Sequence, residues 1–112
     1  MNTKILVTLI FALLLGAGSA FAAAGKVDIM SVSPKDIYTK DKIMLKYDAV
    51  PGPEGDHLHL NVDGKRVDVI RQLSGTATVD PLPSGKHHIC LAVNTAAHVP
   101  TGVEGCVDVN VW

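Results

Sequence analysis

Asp56-His57-Leu58-His59-Leu60-Asn61-Val62-Asp63-Gly64-Lys65-Arg66-Val67-Asp68-Val69-Ile70 is the stretch that decides the fold. Two alternating runs, 57–62 and 66–70, flank Asp63-Gly64-Lys65. An Asp-Gly step tolerates the positive φ angles of a tight turn, so the segment reads as a β-hairpin. Strand side chains alternate faces, which sends His57 and His59 to one side and Leu58 and Leu60 to the other. The outcome is a paired imidazole surface backed by an apolar one. Two imidazoles on one face suit a borderline or soft metal ion, provided a third ligand joins them.

Outward from this hairpin the same pattern recurs without any sustained helical period. Residues 27–32 alternate and stop before Pro34. In 42–48, Ile43, Leu45 and Tyr47 share a face that should be core. Pro51 and Pro53 lack an N–H and sit among glycines, so 50–55 is a loop leading into the histidine strand. Further strands fall at 76–79, 87–93 and 105–111. Seven strands at this spacing predict an all-β, immunoglobulin-like antiparallel sandwich, in which 57–62 and 105–111 flank 87–93 within one sheet.

The N-terminus has a different character. Lys4, the apolar run Ile5 to Leu15 and the small-residue stretch Gly16 to Ala24 are the parts of a secretory signal peptide, with cleavage expected after Ala22 or Ala24. The expected organisation is a leader over 1–24 and one sandwich domain over 25–112, periplasmic or secreted. The apolar run is too short for a comfortable membrane span, so the mature form is read as free of the membrane. Ten Lys and Arg face eleven Asp and Glu, and Lys4 belongs to the leader. That balance gives no electrostatic reason to expect nucleic acid or an anionic membrane as partner.

Cys90 and Cys106 both lie in the exported part, where two cysteines in a small domain tend to pair. By chain entropy a loop this short would gain about 3 kcal/mol from closure. Alternation points both cysteines outward, together with His57, His59 and His88. In a reduced chain, His57, His59, Cys90 and Cys106 would form a Cys2His2 set suited to zinc or cuprous copper, although no Cys-x-x-Cys loop is present.

The topology also sorts the five histidines. His57 opens its strand, and His98 lies in the long connection 94–103, at the same end. His59 therefore joins a group of three, His57, His59 and His98, as candidate copper or zinc ligands, with Asp56 and His88 as additional candidates. Strand register could instead bring His59 beside Cys90 or His88. His87 and His88 begin their strand near the opposite end, and His87 reads as a residue that caps backbone or solvates the sheet. Met44 points outward as an incidental surface residue.

The stretch Gly55-Asp56-His57-Leu58-His59-Leu60-Asn61-Val62-Asp63-Gly64, then Leu82-Pro83-Ser84-Gly85-Lys86-His87 and Ala97-His98-Val99-Pro100, resembles the bacterial exported immunoglobulin-like domains of unknown function. The resemblance covers about residues 55 to 111. It implies a sandwich, an envelope location and recurrent histidines at 57, 59, 87 and 98, but no reaction. The cysteine pair lies outside that pattern.

Enzyme chemistry finds little support. The chain has no Ser-His-Asp order with a nucleophile turn, no Gly-rich phosphate loop and no carboxylate pair flanked by aromatics. Two functions remain: a small exported metal-binding module, or a non-catalytic envelope interaction domain whose loops or edge strand bind a protein or cell-wall partner. Only Tyr38, Tyr47 and Trp112 supply aromatics after the leader, which disfavours a stacking carbohydrate site.

Overall fold

A computed structural model describes residues 25 to 112, so the expected leader over 1–24 lies outside the described residues. Seven strands follow in order: β1 (Lys26–Ser33), β2 (Ile43–Val50), β3 (His57–Val62), β4 (Lys65–Ile70), β5 (Ser74–Val79), β6 (Gly85–Asn94) and β7 (Pro100–Val111). They form a three-stranded sheet, β1-β2-β5, and a four-stranded sheet, β4-β3-β6-β7. All the strand pairings are antiparallel. This is the expected seven-stranded sandwich, with β6 between β3 and β7.

Alternation explains the core. Ile43, Leu45 and Tyr47 of β2, Leu58 and Leu60 of β3, and Ile89, Leu91 and Val93 of β6 are all essentially inaccessible to solvent. They meet between the sheets, where burial of each large aliphatic side chain contributes on the order of 1.5–3 kcal/mol. The buried Tyr47 donates its hydroxyl to the Gln72 carbonyl at 2.7 Å, so the core carries its polar tip without an unpaired group.

The β3–β4 hairpin turns more tightly than the sequence indicates. Val62 pairs directly with Lys65, leaving Asp63 and Gly64 as a two-residue turn with φ of 52° and 81°. Two positive φ values define the turn whose twist matches the flanking strands. A bulge between Leu60 and Asn61 on β3 then accommodates an extra residue on β4.

The largest boundary correction concerns β7. The strand begins at Pro100, not at 105, so the expected ten-residue connection 94–103 contracts to the turn 95–99. Thr95 holds that turn: its N–H donates to the Val99 carbonyl at 2.8 Å, and its carbonyl accepts from the His98 N–H at 2.9 Å. The Thr95 hydroxyl accepts from the Val99 N–H at 3.2 Å. His98 adopts φ of 66°, a left-handed conformation that histidine tolerates better than most side chains. Pairing of Asn94 with Pro100 across this turn draws the strand start back, which single-residue propensity does not announce.

Candidate metal centre

Two elements deliver the three histidines. Alternation along β3 puts His57 and His59 on the outer face of the four-stranded sheet, and the 95–99 turn folds back over them with His98. His57 Nε2 lies 3.0 Å from His59 Nε2 and 3.2 Å from His98 Nδ1, and His59 Nε2 lies 3.0 Å from His98 Nδ1. The expected group of three is thus brought together. These atoms could hold a metal ion.

The paired imidazoles of β3 are buried and do not form the open surface that alternation predicts. His57 is 0% and His59 8% exposed, while His98 remains exposed. An outward-facing strand residue becomes buried here because the β6–β7 turn lies across it. Burial together with the neighbouring His57, Arg66 and His98 charges lowers the His59 pKa from its ordinary value. The shift favours the neutral ring, the form that binds metal.

Protons alone cannot satisfy this triangle of nitrogens. Each imidazole nitrogen has one in-plane position, occupied by either a proton or a lone pair. A hydrogen bond needs one of each. Three mutually adjacent nitrogens form a closed odd ring, so at least one of the three contacts must set like against like. In a neutral His57 ring the assignment is fixed further: Nδ1 donates to the Asp56 carboxylate at 2.8 Å, leaving a lone pair on Nε2. A cation taking all three lone pairs satisfies every nitrogen at once. With metal–nitrogen bonds of about 2.0–2.1 Å, tetrahedral ligands stand about 3.3 Å apart, close to the observed spacing.

Asp56 stands behind His57. Its carboxylate lies between the His57 ring and the Arg71 guanidinium, 3.5 Å away, and the hydrogen bond from His57 lowers its pKa. A carboxylate on the far nitrogen of a ligating histidine fixes ring orientation and tautomer. The loop ahead of it is closely packed: a Cβ on Gly55 would collide with the Pro51 carbonyl and with Val93. Asn94 sits directly across from His57, buried, with Nδ2 donating to the Ala92 carbonyl at 3.1 Å. Its Oδ1 is a buried acceptor without a donor in the row beside the triad.

His88 is not brought to this group. Cys90 pairs with Asn61 and His59 with Ala92, so neither Cys90 nor His88 flanks His59. Cys90 and Cys106 face one another directly across β6 and β7 and are joined in a disulfide. The Cys2His2 alternative therefore divides into two separate clusters, His57-His59-His98 and His88-Cys90-Cys106. Met44 is exposed, with its sulfur accepting from the Thr78 hydroxyl.

His87 behaves as a clamp. Nδ1 donates to the Asp63 carboxylate at 2.6 Å and Nε2 to the Pro83 carbonyl at 2.7 Å. Neither acceptor can donate, so both nitrogens carry protons and the ring is an imidazolium. Its pKa is raised, first by the Asp63 hydrogen bond and then by the Pro83 carbonyl. The sequence reading missed the aspartates at 63 and 108 as histidine partners. Asp108 was legible by parity, since it lies two residues beyond the outward Cys106.

No protein-family model matches the chain, and no curated protein matches it. Among solved structures it is similar to the fibronectin(III)-like modules of Clostridium thermocellum CbhA, at 17% identity and a TM-score of 0.60. The match covers 76% of this chain and 94% of that one. The likeness shows the sandwich fold.

Proposed function

We propose that this chain is an exported, non-catalytic module that binds copper or zinc through His57, His59 and His98. The observation that carries the reading is the convergence of three imidazole nitrogens within 3.2 Å, an arrangement that protons alone leave unsatisfied. Two of the rings, His57 and His59, are buried, and Asp56 fixes the orientation of His57 from its Nδ1 side. Imidazole suits both ions, and three protein ligands leave a fourth position for solvent or a partner's group. Such an open shell favours transfer over permanent structural use. The disulfide and the sandwich fold fit an extracellular or periplasmic setting.

The test is a titration of the domain with cuprous, cupric and zinc ions against competing chelators, with free thiols counted in the same sample. Tight one-to-one binding with both cysteines paired supports the reading. Binding no tighter than the chelator background overturns it, and the fibronectin-like fold would then favour an interaction domain, sought by capture of a stoichiometric envelope partner.

A further inference from the structure

The second cluster shares the outer sheet face with the triad but is built from different chemistry. Asp108 Oδ1 accepts from His88 Nδ1 at 2.6 Å, which turns the other ring nitrogen, Nε2, toward Cys90 Sγ, 3.2 Å away. A disulfide sulfur has no proton to offer that nitrogen. The nitrogen and both sulfurs lie within 4.8 Å of one another. The arrangement repeats the Asp56–His57 motif, a carboxylate fixing a histidine whose other nitrogen faces the candidate ligands.

We propose that the Cys90–Cys106 disulfide gates a second metal site, formed by His88 Nε2, Cys90 Sγ and Cys106 Sγ once the disulfide is reduced. A protein dithiol is the reductant class. Its thiolate attacks the exposed Cys106 sulfur, the Cys90–Cys106 bond breaks, and the mixed disulfide resolves through the second thiol of the reductant. The reductant leaves oxidised, and each cysteine ends with one proton. A thiophilic cation, zinc or cuprous copper, then displaces the thiol protons and takes the imidazole lone pair as its third ligand.

The fold allows this opening. Ile89–Val107 and Leu91–Gly105 pair on either side of the cysteines, so the β6–β7 ladder holds the two sulfurs adjacent without the covalent bond. The bridge lies on the outer face, while the core is built from other residues. His88 and Cys106 are exposed to both reductant and ion. Among the described residues the oxidised protein offers the imidazole triad, whereas the reduced protein offers a soft sulfur site besides.

The experiment uses cadmium, because thiolate-to-cadmium charge-transfer absorption reports sulfur ligation and is silent at an all-histidine site. The purified protein is reduced with a phosphine, freed of it anaerobically and titrated. The expected result is one equivalent of thiolate-bound cadmium in the reduced protein and none in the oxidised one. His88→Ala should weaken that binding roughly tenfold or more. Cys106→Ser should remove about half of the absorption, and His59→Ala should leave it intact. Failure of the triad would therefore not mimic failure here. Absence of the band in the reduced protein overturns the proposal, as does an unchanged affinity in His88→Ala. Loss of the β-sheet circular dichroism on reduction overturns it too, since the site needs the paired strands.

Discussion

His57 and His87 lie toward opposite ends of one sheet, and each gives Nδ1 to an aspartate, at 2.8 and 2.6 Å. Their second nitrogens part company. That of His87 meets the Pro83 carbonyl, an acceptor, and the ring is closed as a cation. That of His57 meets two further imidazole nitrogens, a group that could take a cation from outside. An aspartate beside a histidine therefore says little about function. The partner of the remaining nitrogen decides between a clamp and a ligand.

The largest effect that would separate the two ends is loss of metal binding. His59→Ala should reduce copper or zinc affinity beyond the ~10–100-fold that loss of an outer partner costs, while His87→Ala leaves affinity unchanged. Competition with a chromophoric chelator reads both. Equal affinity in His59→Ala and wild type would erase the distinction. Saturating metal at about 100 times Kd should also stabilise the fold by about 2.7 kcal/mol, a rise in Tm on the order of 10 °C or more. His59→Ala should lose that rise, and His87→Ala should keep it.

Asp56→Asn tests the carboxylate behind the triad. The amide still accepts from His57 Nδ1 but carries no charge, so affinity should fall roughly 10–100-fold without loss of stoichiometry. Isothermal titration with circular dichroism as the fold control checks this. An Asp56→Asn protein that binds as tightly as wild type would make Asp56 a surface charge and weaken the parallel with His87.

Much of the contrast is legible in the amino-acid sequence. The hairpin, the strand order and the opposed cysteines follow from alternation and the Asp-Gly step, because each depends on local periodicity and on one topological rule. His98 was placed at the correct end for the same reason. Its approach to His57 was not legible in detail, because it depends on β7 starting at Pro100 and on Thr95 closing the turn. The burial of His57 and His59 escaped for a related reason: strand parity gives the face of a side chain but not what later folds over it. His87 was read as a cap, and the missing part was its partner, Asp63, 24 residues away in sequence.

The smaller effects lie in pH dependence, where the two ends should differ in sign. The raised pKa of His87 means that the folded state favours its charged ring. Its contribution is whole below the unfolded value of about 6.5 and is lost as pH rises through the higher folded value. Asp63, lowered by hydrogen bonds from the His88 backbone and the His87 ring, contributes fully above its unfolded value of about 3.9. The clamp is thus complete between roughly pH 4 and 6.5. His59 behaves oppositely. Its lowered pKa means that the folded state favours the neutral ring, so its contribution is whole above about 6.5 and is lost as pH falls toward the lower folded value. Urea denaturation of the metal-free protein across pH should therefore decline on both sides of about 6.5, from different residues. His87→Ala should flatten the alkaline decline, and His59→Ala the acidic decline just below 6.5. If His87→Ala changed only the acidic side, the imidazolium assignment would fall. The two histidine ends would then differ in burial alone, not in the charge state of their rings.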